Sequence, residues 1–139
     1  MLALDIETMG LLGRGATVLP EITCACLFDG INEYKLLFYG IEGASRKKNI
    51  ETLLTLLDTA DQLIGFNAVL FDLEFIKQAF EVSEKRMSTW VRKTLDPFMF
   101  MKYALQQTSS LAFLLESNKL PSKIGSGTHA ITLASEVLQ

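Results

Sequence analysis

The sequence predicts an α/β protein with a mixed central sheet, a three-strand antiparallel meander extended by parallel strands, flanked by helices. Three observations predict it. Three short apolar runs fill most of the first forty positions, and Asp29-Gly30, a hairpin turn signal, joins the second to the third. From Asn49 the period changes, and Ile50, Leu53, Leu54, Leu56 and Leu57 recur at helical spacing. A short apolar run, Leu63 to Phe66, then returns before further helical patterns, as a strand between helices would.

The first strand is Leu2-Ala3-Leu4-Asp5-Ile6-Glu7-Thr8-Met9-Gly10, whose apolar start suits a buried central position. Side chains alternate along a strand, so Asp5 and Glu7 point the same way, about 7 Å apart at the backbone. Two anions side by side on a buried strand repel each other and cost desolvation, and a divalent cation removes both costs. The alternative is that both carboxylates lie just past the strand in solvent. Gly10 lets the chain turn away. Residues 11–20, with two glycines and Pro20, read as a loop. Leu11, Leu12, Val18 and Leu19 make that loop apolar, either to cap the core or to cover a site. Glu21 to Phe28 and Asn32 to Tyr39 are the second and third strands, closed by Gly40.

Residues 41–48 read as a polar connection, with Asn49 as N-cap of a helix ending near Thr59. Leu63 to Phe66 is the fourth strand. Phe71, Phe75, Ile76, Ala79 and Phe80 then fit one helical face. Asp72 and Glu74 open that helix, where negative charge complements the dipole; alternatively, Asp72 faces the first strand as a third carboxylate. Lys85, Arg86, Arg92 and Lys93 bracket the only tryptophan, Trp90, in a polar segment. Such a cluster either meets a phosphate backbone and a stacked base or is an ordinary solvated loop. Thr94-Leu95-Asp96-Pro97 is a strand end; Pro97 opens a helix through Leu105, with Asp96 either its N-cap or an acid near the site. Ser109-Ser110 caps a helix from Leu111 to Ser117, residues 118–128 form a loop, and His129 to Leu138 is a weak amphipathic helix. The chain stops without a C-cap, which points to a natural domain that continues.

With 139 residues, 49% of them hydrophobic, the chain can bury a sizeable core as one domain over 1–139. A net charge of -3 gives no global basic field, so a polyanion would be met by a local patch or by bound metal. Cys24 and Cys26 share a face two residues apart, a poor geometry for a mutual disulfide. With only one His besides, a zinc cage is not expected, and buried thiols in a core strand are. The N-terminus carries acids where a signal peptide carries Lys or Arg, and no apolar run approaches the roughly 20 residues of a membrane span. A soluble, intracellular protein is the expectation.

Two stretches resemble a known family. Asp5-Ile6-Glu7-Thr8 after an apolar run, and Asn67-Ala68-Val69-Leu70-Phe71-Asp72 after a short strand, are similar to the first two motifs of the DEDD family of 3′-5′ exonucleases, built on the ribonuclease H-like fold. Thr94-Leu95-Asp96-Pro97 and the later run from Ser109 to Glu116 resemble its third region. The resemblance spans residues 1 to about 117. It implies a phosphodiester hydrolase acting on a single-stranded 3′ end of DNA or RNA. Four carboxylates would hold two Mg²⁺ or Mn²⁺ ions about 4 Å apart. By resemblance, Asp5 would bridge both ions, Glu7 would bind one, and Asp72 would reach the second, partly through water. The peptide around Thr8 and Met9 would contact the terminal nucleotide, with Asn67 bracing the site and Phe71 on the substrate side.

The family's last motif places an aspartate five residues after a His or four after a Tyr. After His129 that position holds Ala134, and the nearest acid is Glu136. Either the fourth carboxylate lies beyond Gln139, in a larger polypeptide, or it is lost and the chain is a weak enzyme or a catalytically inactive nucleic-acid or protein-binding module. His129 is either a catalytic base or an ordinary histidine at a helix start.

Overall fold

Alternation in the first strand decides the architecture. In the computed structural model, which describes residues 1–10 and 20–121, β1 (Leu2–Thr8) buries Leu2, Leu4, Ile6 and Thr8. Ala3, Asp5 and Glu7 take the opposite face. The chain continues through β2 (Ile22–Phe28), β3 (Glu33–Leu37), α1 (Gly43–Thr59), β4 (Leu63–Ile64), α2 (Asp72–Ala79), α3 (Glu84–Arg92), β5 (Thr94–Leu95), α4 (Pro97–Tyr103) and α5 (Leu111–Ser117). The sheet order is β3-β2-β1-β4-β5, with β1 at the centre. β1, β2 and β3 pair antiparallel, whereas β4 and β5 join parallel, giving the expected mixed sheet.

The β2–β3 turn is closed as its sequence predicts. Asp29 Oδ1 accepts from Ile31 N at 2.9 Å and Asn32 N at 2.7 Å, and Gly30 takes φ +101°. These hydrogen bonds, led by that from Asn32, hold the Asp29 carboxyl well below the usual carboxylate range. On the buried face of the sheet one core gathers Leu53 and Leu57 of α1, Leu73, Phe75 and Ile76 of α2, and Met87 and Trp90 of α3. Pro97 stands in the first turn of α4, and Ser110 Oγ caps α5 by accepting from Phe113 N at 3.1 Å. No described helix is long and apolar enough to cross a membrane.

Three expectations are corrected. α1 begins at Gly43, inside the segment expected to be a polar connection. Ala44 to Lys48 hold good helix formers whose polar side chains need no core contact. Asn49 is therefore not the N-cap; its Nδ2 donates to Leu37 O at 2.8 Å and ties the helix to β3. The segment around Trp90 is the helix α3, capped by Ser83 Oγ, which accepts from Arg86 N at 3.3 Å. Cys24 and Cys26 are not core thiols. The buried positions of β2 are Ile22, Ala25 and Leu27, which leaves Cys24 half-buried and Cys26 exposed, opposite Glu7 and Asp5 in the ladder. Partial burial, with the Cys26 thiol beside it, pushes the Cys24 thiol upward. The expected helix over His129 to Leu138 and the loop over 11–20, apart from Pro20, lie outside the described residues.

Gly65 fixes how closely the segment after β4 approaches β1. A Cβ there would stand 2.6 Å from Ala68 Cβ and 3.1 Å from Leu4 O. Gly65→Ala is expected to lower the stability to urea by about 1–3 kcal/mol through overpacking.

Candidate metal centre at the end of the central strand

Along β1, β4 reaches only Leu2 and Ala3, so the edge of β1 beyond them needs another partner. The chain supplies it by turning through Gly65 to Phe71 and starting α2 against that edge. Asp72, the first residue of α2, is 4% exposed, and its Oδ1 accepts from Ile6 N at 2.8 Å. The carboxylate is thus anchored to the backbone between Asp5 and Glu7. The N-terminal end of α2 favours negative charge at that point. Glu7 and Asp5 share one face of β1, and the ladder to β2 shifts register between Glu7 and Thr8. Such a bulge re-aims side chains at the end of a strand. Thr23 Oγ1 fastens it by donating to Glu7 O at 3.0 Å.

Asn67 sits in the turn before α2 with φ +61°, a left-handed conformation that Asn tolerates better than most residues. Its N–H donates to Asp96 Oδ1 at 2.8 Å, and its buried Oδ1 has no hydrogen-bond partner among the described residues. Asn67 and Asp5 line the same cavity. Phe71 is half-buried, its ring 4.8 Å from that of Phe75. Thr8 is buried and its hydroxyl donates to Gly10 O, while Met9 N donates to Glu21 O at 2.8 Å. Those two groups hold the turn after β1, so the Thr8 hydroxyl and the Met9 amide are already engaged within the protein.

Asp96 does more than a cap requires. Its Oδ1 accepts from Asn67 N at 2.8 Å, Phe98 N at 3.1 Å and Met99 N at 3.4 Å, and its Oδ2 from Val69 N at 3.0 Å. One buried carboxylate therefore caps α4 and clamps the turn that leads to Asp72. Capping was legible from Asp-Pro before a helical run; the clamp was not, because its partners lie in another part of the chain.

The basic cluster fits neither of the two readings its composition offers. Trp90 is fully buried and its Nε1 donates to Asp58 Oδ1 at 2.8 Å, so it cannot stack on a base. Arg86 grips the same carboxylate, with Nε donating at 3.0 Å, and lies 5.4 Å from the centre of the Trp90 ring. The Arg86 hydrogen bonds hold the Asp58 carboxyl below its ordinary range. Lys93 Nζ donates to the carbonyls of Asp58 and Ala60 at 2.9 and 2.6 Å. These groups fasten the end of α1 to α3. Arg92 is exposed just ahead of β5, where the parallel strands begin, whereas Asp5 and Glu7 lie toward the end of β1. The structure does not bring Trp90 or Arg92 to the carboxylates. Trp90→Phe should lower stability by about 1–2 kcal/mol, read by urea unfolding, with no change in affinity for nucleic acid. His129 lies outside the described residues.

Among the described residues no three Asp, Glu, His or Cys side chains are already gathered as a cage for an ion. The donors at the end of β1 are nonetheless carboxylate oxygens, the hard type that Mg²⁺ and Mn²⁺ take. Asp5 and Glu7 share a face, Asp72 is held on the N–H of Ile6, the residue between them, and among the described residues the buried Asn67 Oδ1 has no partner. The donor type suits a hard divalent ion.

A five-stranded mixed sheet of this order, with acids at the end of its central strand and helices packed on it, defines a ribonuclease H-like protein. The model of the RNase H superfamily matches residues 2–120, and the chain belongs to that superfamily. Its members are generally nucleases, typically dependent on divalent metal ions, and a nuclease-type, nucleic-acid-processing function follows for this chain. No curated protein matches the chain.

Proposed function

We propose that this chain is a 3′-5′ exonuclease of the DEDD type, hydrolysing phosphodiester bonds at a single-stranded nucleic-acid end with two Mg²⁺ or Mn²⁺ ions. The observation that carries this reading is the Asp72 carboxylate held on Ile6 N–H, between Asp5 and Glu7 on β1. Bound ions would supply an activated water and stabilise the leaving 3′ oxygen. Asp5, Glu7 and Asp72 would hold them. Asn67 would orient the terminal nucleotide through its buried Oδ1, with Phe71 and the peptide of Thr8 and Met9 shaping the site around it. A net charge of -3 gives the chain no global basic field, so ions held by these carboxylates would supply the positive charge that meets the phosphate.

A second reading has one observation in its favour. Ala134 stands where the family pattern puts the fourth acid, which suits an inactive module that binds nucleic acid or protein. The experiment is degradation of 5′-labelled single strands, DNA and RNA in parallel, with Mg²⁺, Mn²⁺ or EDTA, and with Asp5→Ala protein as the contamination control. A metal-dependent ladder that shortens from the 3′ end and is absent with Asp5→Ala is the expected result. Strand binding without cleavage, in this chain and in one extended past Gln139, would establish the binding module instead.

A further inference from the structure

β3 is an edge strand, and no described strand pairs with its outer side. The backbone groups on that side follow from the β2–β3 register. Phe38 N donates to Thr23 O at 2.9 Å and Asp29 N to Asn32 O at 3.2 Å, at the two ends of the hairpin. Hydrogen-bonded and non-hydrogen-bonded pairs alternate between them, so Tyr34 and Leu36 bond inward to Leu27 and Ala25. Glu33, Lys35 and Leu37 therefore turn their N–H and C=O groups outward. The outer row is closed at both ends. Ile31 N donates to Asp29 Oδ1 at 2.9 Å, and Leu37 O accepts from Asn49 Nδ2 at 2.8 Å. The open stretch is centred on Glu33 and Lys35.

Both of those side chains are well exposed, with Lys35 Nζ 3.4 Å from Glu33 Oε2 along the strand. Ile31 and Leu37, 88% and 54% exposed, flank them. Charge on an edge strand ordinarily deters pairing. The run Glu33-Tyr34-Lys35, however, is its own complement. In an antiparallel pair of two such strands, with a two-fold axis through Tyr34, Glu33 of each copy stands opposite Lys35 of the other. Leu37 of each copy then lies toward Ile31 of the other. Moving the axis by one residue puts Glu33 against Glu33 or Lys35 against Lys35, and like charges directly opposite are destabilising.

We propose that β3 is a self-association edge, at which two copies of this chain pair antiparallel, Glu33 with Lys35, into one continuous sheet. Each Glu33–Lys35 pair exchanges both of its main-chain hydrogen bonds, and the exposed apolar surface of Ile31 and Leu37 is covered. The two-fold axis stands perpendicular to the sheet, so Asp5 and Glu7 of both copies face the same side. The two β1 strands are then about 24 Å apart, at about 4.8 Å per strand. The dimer presents two candidate metal centres side by side on one surface. A contact of one short strand is small, so the dimer is reversible and depends on concentration.

The test is sedimentation equilibrium of the full chain over a concentration series. The native chain should pass reversibly from monomer to dimer. Lys35→Glu and Glu33→Lys each set like charges opposite one another in the self-pair, and each should raise the dimer Kd about 10-fold or more. Mixing the two variants puts Glu opposite Lys again at both positions, and the mixture should dimerise as the native chain does. Both side chains are exposed, so neither variant should fold poorly; a surface ion pair within one strand contributes little. A native chain that stays monomeric to its solubility limit would overturn the proposal and leave the edge to a strand of another protein. A dimer that Lys35→Glu leaves intact would overturn it too, by placing the contact on another surface. So would single variants that fail to pair when mixed, because the register would then be wrong.

Discussion

Asp5→Asn should cut the Mn²⁺-dependent shortening of a labelled strand by about a thousandfold or more while leaving the unfolding midpoint in EDTA unchanged or slightly raised. The rate term follows from metal chemistry: a positioned ion contributes several kcal/mol of charge stabilisation, and each 1.36 kcal/mol is about tenfold in rate. The stability term follows from place. Asp5 is exposed on β1, on the face away from Leu4 and Ile6, so no core contact is lost. Asn keeps the shape of Asp, and removing its charge relieves repulsion from Glu7 on the same face. Mn²⁺ gives a second readout. An ion that binds only the folded chain raises its melting temperature with concentration, and Asp5→Asn should flatten that response. A variant that still trims strands and still melts higher in Mn²⁺ would remove Asp5 from the site.

Much of the sheet is written in local patterns. Alternation over Leu2 to Thr8, the Asp29-Gly30 turn and the short run at Leu63 each concern residues a few positions apart, and each has its counterpart in the structure. The same is true of Pro97 and Ser110 at helix starts. Part of what escaped was set by partners far along the chain. Trp90 looks solvated among Lys and Arg until Asp58, thirty-two residues earlier, takes its N–H and the Arg86 guanidinium. The start of α1 is hidden because a solvent-facing helical turn has no apolar stripe to announce it. Alternation puts Cys24 and Cys26 on one face but does not say which; Ala25 and Leu27 decide that by packing inward. For the candidate site, Asp5 and Glu7 share a face by arithmetic alone, whereas the seat of Asp72 on Ile6 N–H is a contact across sixty-six positions.

Asp96→Ala should show the opposite signature to Asp5→Asn, a large loss of stability with a partial loss of metal affinity. The carboxylate serves four N–H groups, two in the turn before α2 and two at the start of α4. Hydrogen bonds to a charged acceptor contribute about 1.5–3 kcal/mol each, and they are not additive because water reaches some of the released donors. A net loss of about 3–4 kcal/mol in urea unfolding is expected. Asp96→Asn should cost about half as much: an amide oxygen can still accept from Asn67, Phe98 and Met99, but its NH₂ would face the N–H of Val69, donor against donor. No proposed metal ligand changes in either variant. The turn that delivers Asp72 to Ile6 N–H nonetheless loses its clamp, and Mn²⁺ affinity by calorimetry should fall about 10- to 100-fold, as for other outer partners of metal ligands. Native stability in Asp96→Ala would show that the four N–H groups find other acceptors. Native Mn²⁺ affinity in a destabilised Asp96→Ala would show that Asp72 keeps its place by its bond to β1 alone.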